Sequence, residues 1–185
     1  MEDITIIALF LERSEQAIAE LDRKHGAAVR KTAMNILRNV QDTEECANDT
    51  YLGVWNTVPP QHPNPLVSYV CRIARNLAIK KYHANKALKR NGNYELTLDE
   101  LEECIPSPAS IEDDYTAKEL SAAISCFLDT LSYEDRFCFV RRYFFVDTVT
   151  DIAGTLHWKP HRVSVRLSRI REKLKHELKE EGLIE

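Results

Sequence analysis

The chain has 185 residues, a formal net charge of −4 and 44% hydrophobic residues, which fits one or two small domains with buried cores. Only five glycines and an excess of Leu, Ala, Glu, Lys and Arg favour helices, and strand-like alternation is hard to find. The start Met1-Glu2-Asp3-Ile4 is not a signal peptide and no apolar run is long enough to span a bilayer, so the sequence predicts a soluble, cytoplasmic protein without membrane insertion.

In chain order, Ile4, Ile7, Ala8 and Leu11 follow helical spacing, as do Ala17, Ile18 and Leu21, and then Val29, Ala33, Ile36 and Leu37 on a third segment. Asn39-Val40-Gln41-Asp42 is a polar break, after which Asp42 can cap a new helix with Glu45 completing a capping box. That helix carries Cys46, Ala47, Tyr51, Leu52, Val54 and Trp55. Four prolines between Pro59 and Pro65 stop it and predict a stiff loop, with Pro65 in the first turn of the next helix. This helix runs from about Leu66 to Arg90, with Val67, Val70, Ile73, Ala74, Leu77 and Ile79 on its apolar face and cations on the other. Residues 93–114 read as an acidic linker, with room for a short helix at Leu98–Glu103.

From Tyr115 a second domain begins, its first helix carrying Leu120, Ile124, Phe127, Leu128 and Leu131. Ser132 caps the next, which bears Phe137, Phe139, Val140, Tyr143 and Phe144. Thr148 with Asp151 resembles a further cap, followed by a short helix at Val149–Leu156, a tight turn at His157-Trp158-Lys159 and a last helix opened by Pro160. The expected fold is therefore all-α: two small helical domains, 1–92 and 115–185, joined by the acidic linker, the second a helix-turn-helix.

Charge is distributed more tellingly than its total. Thr50 to Tyr94 holds no acidic residue but includes Arg72, Arg75, Lys80, Lys81, Lys86, Lys89 and Arg90, and basic residues return from Lys159 onward. On the last helix Val163, Leu167, Ile170 and Leu174 must face the core, which leaves Pro160, His161, Arg162, Ser164, Val165, Arg166, Ser168, Arg169 and Arg171 outward or flanking. Arg beside short hydroxyl residues suits a major-groove reader, since a guanidinium can donate twice to a guanine edge. The helix from Leu66 adds Tyr69, Tyr82 and His83 to its cations, a mixture that suits unstacked bases. The five cysteines, Cys46, Cys71, Cys104, Cys126 and Cys138, are odd in number and form no C-x-x-C pair, so neither a disulfide framework nor a zinc knuckle is expected. Most should be small buried hydrophobes. No cofactor, metal or catalytic constellation is evident: His157 and His161 are the only close histidine pair, and no Gly-rich phosphate loop exists.

Three stretches carry a resemblance to a known family. Asp42-Thr43-Glu44-Glu45-Cys46-Ala47-Asn48-Asp49-Thr50-Tyr51-Leu52-Gly53-Val54-Trp55 resembles the D-A-E-D-L-x-Q-E-x-F-L-x-x-W signature of sigma-70 family factors, in their second region. Ile73-Ala74-Arg75-Asn76-Leu77-Ala78-Ile79 is similar to its continuation, and Val163 to Leu174 resembles the recognition helix of the fourth region. Order, spacing and the acidic bridge agree with the small extracytoplasmic-function class. Lys80 stands where the family usually has an acid, His157 where it has a glycine, and Asn48 where it has a glutamine.

The resemblance implies a non-enzymatic subunit that binds core RNA polymerase, at the clamp helices of its largest subunit and at its flap region, and directs it to promoter DNA. Asp42, Glu44, Glu45, Asn48 and Asp49 match the polymerase-docking surface. Pro60, Gln61, His62, Asn64, Tyr69, Arg72, Arg75, Asn76, Lys80 and Lys81 match the position that captures the melted −10 element. Residues Pro160 to Arg171 of the last helix match the reader of the −35 duplex. An anti-sigma factor is a further partner that the resemblance leaves open. The rival reading, a stand-alone helix-turn-helix regulator, accounts for the second domain but leaves the Asp42–Trp55 signature unexplained.

Overall fold

The computed structural model describes residues 1–85, 93–102, 104–105 and 114–184, and every regular element among them is helical. The chain divides into two compact units, Met1–Gly92 and Asn93–Glu185.

The first unit is built from α1 (Asp3–Leu11), α2 (Gln16–Leu37), α3 (Val40–Thr57) and α4 (Leu66–Asn85). The two apolar segments around Leu21 and Val29 are one helix, because only Gly26 lies between them and a single glycine weakens a helix without breaking it. α2 ends where Arg38 turns left-handed at φ 53°. The N-cap of α3 is Asn39, whose side chain accepts from the Asp42 amide at 3.0 Å, and not Asp42 as expected. The helix thus starts three residues earlier, and the Asp42 carboxylate is turned toward α4 instead of toward its own backbone.

α2, α3 and α4 pack on one another around Leu21, Val29, Val54, Val58, Leu66, Val70 and Ala74, with Ile6 and Phe10 of α1 closing the core. Each side chain of that size contributes roughly 1.5–3 kcal/mol by leaving water. α4 turns Leu66, Val70, Cys71, Ala74 and Ala78 inward, and the expected Val67, Ile73, Leu77 and Ile79 flank that stripe half-buried. Buried threonines in these helices satisfy their hydroxyls on the preceding turn, as Thr50 does on the Cys46 carbonyl at 2.7 Å. Pro65 lies just ahead of α4 and not inside its first turn; its carbonyl accepts from the Tyr69 amide at 3.3 Å. The expected extension of this helix to Arg90 lies outside the described residues beyond Asn85.

The second unit corrects the linker. Residues 93–102 form a helix, α5 (Asn93–Glu102), that belongs to this unit. Thr97 and Cys104 are buried, and Leu101 and Ile105 pack against the second core. Leu98–Glu102 overlaps the short helix expected at Leu98–Glu103, and the helix begins five residues earlier. Residues 106–113 of the expected linker lie outside the described set. α6 (Asp114–Thr130), α7 (Tyr133–Phe139), a π-helical segment (Val140–Phe144), α8 (Val149–Leu156) and α9 (Pro160–Glu180) follow.

Ser132 caps α7 and accepts from the Asp135 amide at 3.2 Å, while Thr148 and Asp151 form the expected capping box on α8. α8 ends where the turn requires, at His157 in the left-handed conformation with φ 54°, a role that histidine fills at lower cost than most non-glycine residues. The widened turn at Val140–Phe144 was not foreseen, nor was the buried Val146 at φ 58°, an unusual conformation for a β-branched residue. Val163, Leu167, Ile170 and Leu174 face inward as expected, with Leu178 extending the row. No helix among the described residues is long and apolar enough to cross a membrane.

Candidate nucleic-acid interface

The expected acidic face of α3 is two rows. At about 100° per residue, Asp42, Glu45 and Asp49 lie on one side of the helix, Glu44 and Asn48 on another. Lys81 of α4 reaches the first row, with Nζ 3.3 Å from Asp42 and 2.5 Å from Glu45. Arg30 of α2 takes the second, with Nε 3.0 Å from both oxygens of Glu44. Arg30 also donates to Asp22 at 2.5 Å, and Tyr51 donates to the same Asp22 oxygen. Those two donors hold the Asp22 carboxyl below the ordinary range. Gly26 is what lets this network close over α2: a Cβ there would come within 2.6 Å of the Arg30 guanidinium. The pairs are largely open to water, with the Glu45 side chain 67% exposed, so each holds its helix only weakly. Asn48 and Asp49 are exposed, as is Leu52, which lines a shallow groove between α2 and α3 together with Tyr51 and Trp55.

The loop between α3 and α4 presents Pro60, Gln61, His62 and Asn64 to solvent, and its Pro59–Pro60 and Asn64–Pro65 peptides are cis. On α4, Tyr69, Arg72, Asn76 and Lys80 fall within a sector of about 80° beside that loop. Arg72, Asn76 and Lys80 are exposed. Tyr69 is fixed at both ends: its hydroxyl donates to Thr57 Oγ1 at 2.7 Å, and the Arg72 guanidinium lies 5.3 Å from its ring centre. Arg75 is half-buried at the edge of this surface. Lys81 is not part of it; it points to α3 and its acids, so the expected DNA set and the expected docking set meet in one ion-pair cluster.

In the second unit, α8 and α9 have the proportions expected of a helix-turn-helix. His161, Arg162, Ser164 and Arg169 are exposed, Pro160 opens the helix at the surface, and Val165, Arg166 and Ser168 are half-buried. The Arg162 guanidinium stacks on the Trp158 ring, 3.8 Å from its centre. Arg166 lies 5.3 Å from the same ring and donates to Asp135 at 2.7 Å, which raises its pKa further. Arg171 departs from expectation. It lies nine residues from Arg162, about half a turn around the helix, and donates to the Tyr143 hydroxyl at 2.8 Å with Glu100 at 3.6 Å. Arg171 therefore belongs to the internal face of the unit.

That internal face holds the residue which sequence reading missed. Glu100 of α5 accepts from Arg142 at 2.6 Å and from the Tyr143 hydroxyl at 3.1 Å, and Arg142 is buried to 1% exposure. A lone Glu in an acidic stretch gives no sequence signal for this; only the buried Arg142 explains it. Among the described residues no group of His, Cys, Asp and Glu is placed to hold a metal ion. Burial pushes the thiols of Cys46 and Cys138 up to about 11, so both stay protonated and unreactive, while Cys126 is exposed.

No curated protein matches the chain in sequence. Among solved structures it is similar to one described as "Structure of CnrH in complex with the cytosolic domain of CnrY", at 19% identity and a TM-score of 0.45, over 96% of this chain and 97% of that one. Residues 21–88 match the family model described as Sigma-70 region 2. That span runs from within α2 through α3, the proline-rich loop and α4, so the elements that carry the acidic rows and the loop surface lie within the matched residues.

Proposed function

We propose that this protein is a sigma factor of the extracytoplasmic-function type, which binds core RNA polymerase and directs promoter-specific initiation without catalysing a reaction itself. One observation carries the reading: the Sigma-70 region 2 match covers the helices that bear both the acidic rows and the loop surface. In this reading the α3 face from Asp42 to Asp49 docks on the clamp helices of the largest polymerase subunit. Its exposed ion pairs cost little to exchange for a basic partner. Pro60 to Asn64, Tyr69, Arg72, Asn76 and Lys80 receive unpaired bases of the −10 element. A proline-rich loop loses little freedom when it binds, and a tyrosine held in place offers a stacking face.

The helix-turn-helix of the second unit reads the −35 element as duplex, with Arg162 and its neighbours at the base edges and Arg169 near phosphates. The binding energy of captured bases offsets the cost of unstacking them, so opening needs no nucleotide hydrolysis by this chain. Transcription from a promoter library, with core polymerase and the full chain, tests the whole reading. Promoter-dependent initiation that requires the added protein is the expected result. Duplex binding without any stimulation of core polymerase would leave the stand-alone regulator instead.

A further inference from the structure

α9 offers two arginines at the position of a base reader, and the structure treats them differently. Arg166 is committed: it donates to Asp135 at 2.7 Å, and its side chain is only 35% exposed. Arg162 is exposed, and its guanidinium carbon lies over the Trp158 ring 3.8 Å from the ring centre, a distance that fits face-to-face stacking. A guanidinium stacked in this way uses its π surface and keeps its in-plane N–H donors at the rim, where a bidentate acceptor can meet them. The stack also removes rotamers that a free arginine would lose on binding. Trp158 is itself fixed, because its ring is half-buried against the second core and its amide donates to the Ala153 carbonyl at 2.9 Å. The left-handed His157 sets the direction in which the turn delivers it.

We infer that Trp158 is a positioning residue that holds Arg162 as the base-reading arginine of α9, with Arg166 kept back by Asp135. The inference rests on the reading of α9 as a duplex reader and adds which arginine reads and what aims it. The bidentate fork fits the O6/N7 edge of a guanine, so the selected base is a guanine facing the start of α9.

The experiment measures binding of the full chain to a library of duplexes with every single-base variant of its selected site. Variants R162A, R162K, R166A, W158A, W158L and W158F are compared with the parent, and helicity and thermal melting are followed for each. R162A and R162K should each lose about tenfold or more of the preference for guanine at one position. W158A and W158L should lose about threefold or more at that same position, and W158F should restore it, because a phenyl face still stacks. W158L retains apolar bulk, so it separates stacking from packing should W158A fail to fold. R166A should leave the preference at that position unchanged. A parent chain with no base preference on any duplex would overturn the duplex-reader assignment beneath the inference. A guanine preference abolished by R162A but unaltered by W158A and W158L would overturn the role of Trp158 alone. Equal weakening of all duplexes by the Trp158 variants would give Trp158 a packing role and overturn the inference in the same way.

Discussion

Two of the ion-pair sets between helices, one in each unit, differ in what they leave available. On α3 of the first unit, Glu44 and Glu45 pair with Arg30 and Lys81, yet both carboxylates stay half or more exposed. In the second unit, Glu100 meets Arg142, whose side chain is 2% exposed, together with Tyr143 and Arg171. The exposed pairs contribute at most about 1 kcal/mol each and can be traded for a partner's charges. The buried one cannot be broken cheaply, since it would strand a cation away from water. Pairing therefore retires a charged residue from a binding surface only so far as the pair is buried: least at Glu45 (67% exposed), more at Arg166 with Asp135 (35% and 18%) and most at Arg142 with Glu100 (2% and 22%). That is why Arg171 leaves the proposed DNA set and Glu45 remains in the docking set.

The largest effect should follow from removing the buried partner. E100A removes both hydrogen bonds that the Arg142 guanidinium makes to the Glu100 carboxylate and should destabilise the second unit by on the order of 3 kcal/mol. With W55F in the background, Trp158 fluorescence during urea unfolding reports that unit alone. A loss below about 1 kcal/mol would place this pair in the same class as those on α3 and end the contrast.

The converse substitution is E45K with D49K on α3. It reverses charges that sit at the surface, so unfolding of the first unit should shift by no more than about 1 kcal/mol. Affinity for core polymerase should nevertheless fall about tenfold or more. Unchanged core affinity with unchanged stability would show that the acidic rows serve solubility alone.

A smaller effect is expected at the turn between α8 and α9. His157 is exposed and left-handed at φ 54°. H157G removes the Cβ clash and should stabilise the second unit by about 1 kcal/mol or less, read from the same fluorescence transition. A destabilising outcome would mean that the imidazole supports the turn in a way the backbone does not show.

What the sequence made legible follows the same division between backbone and burial. Period, caps and breakers are local, and they located α8 from Val149 to Leu156, the Thr148–Asp151 box, the left-handed His157 and the inward row of α9. The partners of charged residues are not local. Lys81 was read as a DNA contact because nothing near it in sequence announces Asp42 and Glu45, and Arg171 because Glu100 lies 71 residues away. The Asn39 cap was missed for a simpler reason: two polar residues three positions apart both suit the role, and only the backbone decides between them. The π-helical turn at Val140–Phe144 follows no spacing rule that the sequence displays.

The smallest expected effect tests the exposed network of the first unit against acid. Asp22 sits between α2 and α3, and the Arg30 guanidinium and Tyr51 hydroxyl hold its pKa below the ordinary value near 4. A carboxyl depressed in the folded state adds stability that is fully present above its unfolded pKa. That stability is lost as pH falls toward the folded value. The window lies below about pH 4, and the size is a fraction of a kcal/mol because Arg30 and Asp22 are both partly solvated. D22N removes this proton-linked part, so the acid limb of the first unit's urea midpoint should become shallower below that pH and stay parallel to the parent above it. Asp3, also depressed and contacted by Lys24 and His25, keeps the limb from flattening entirely. Trp55 fluorescence in a W158F background isolates the first unit for the measurement. Parallel midpoint curves down to pH 2 would show that neither Arg30 nor Tyr51 favours the ionised Asp22 carboxyl, with Arg30 then held by Glu44.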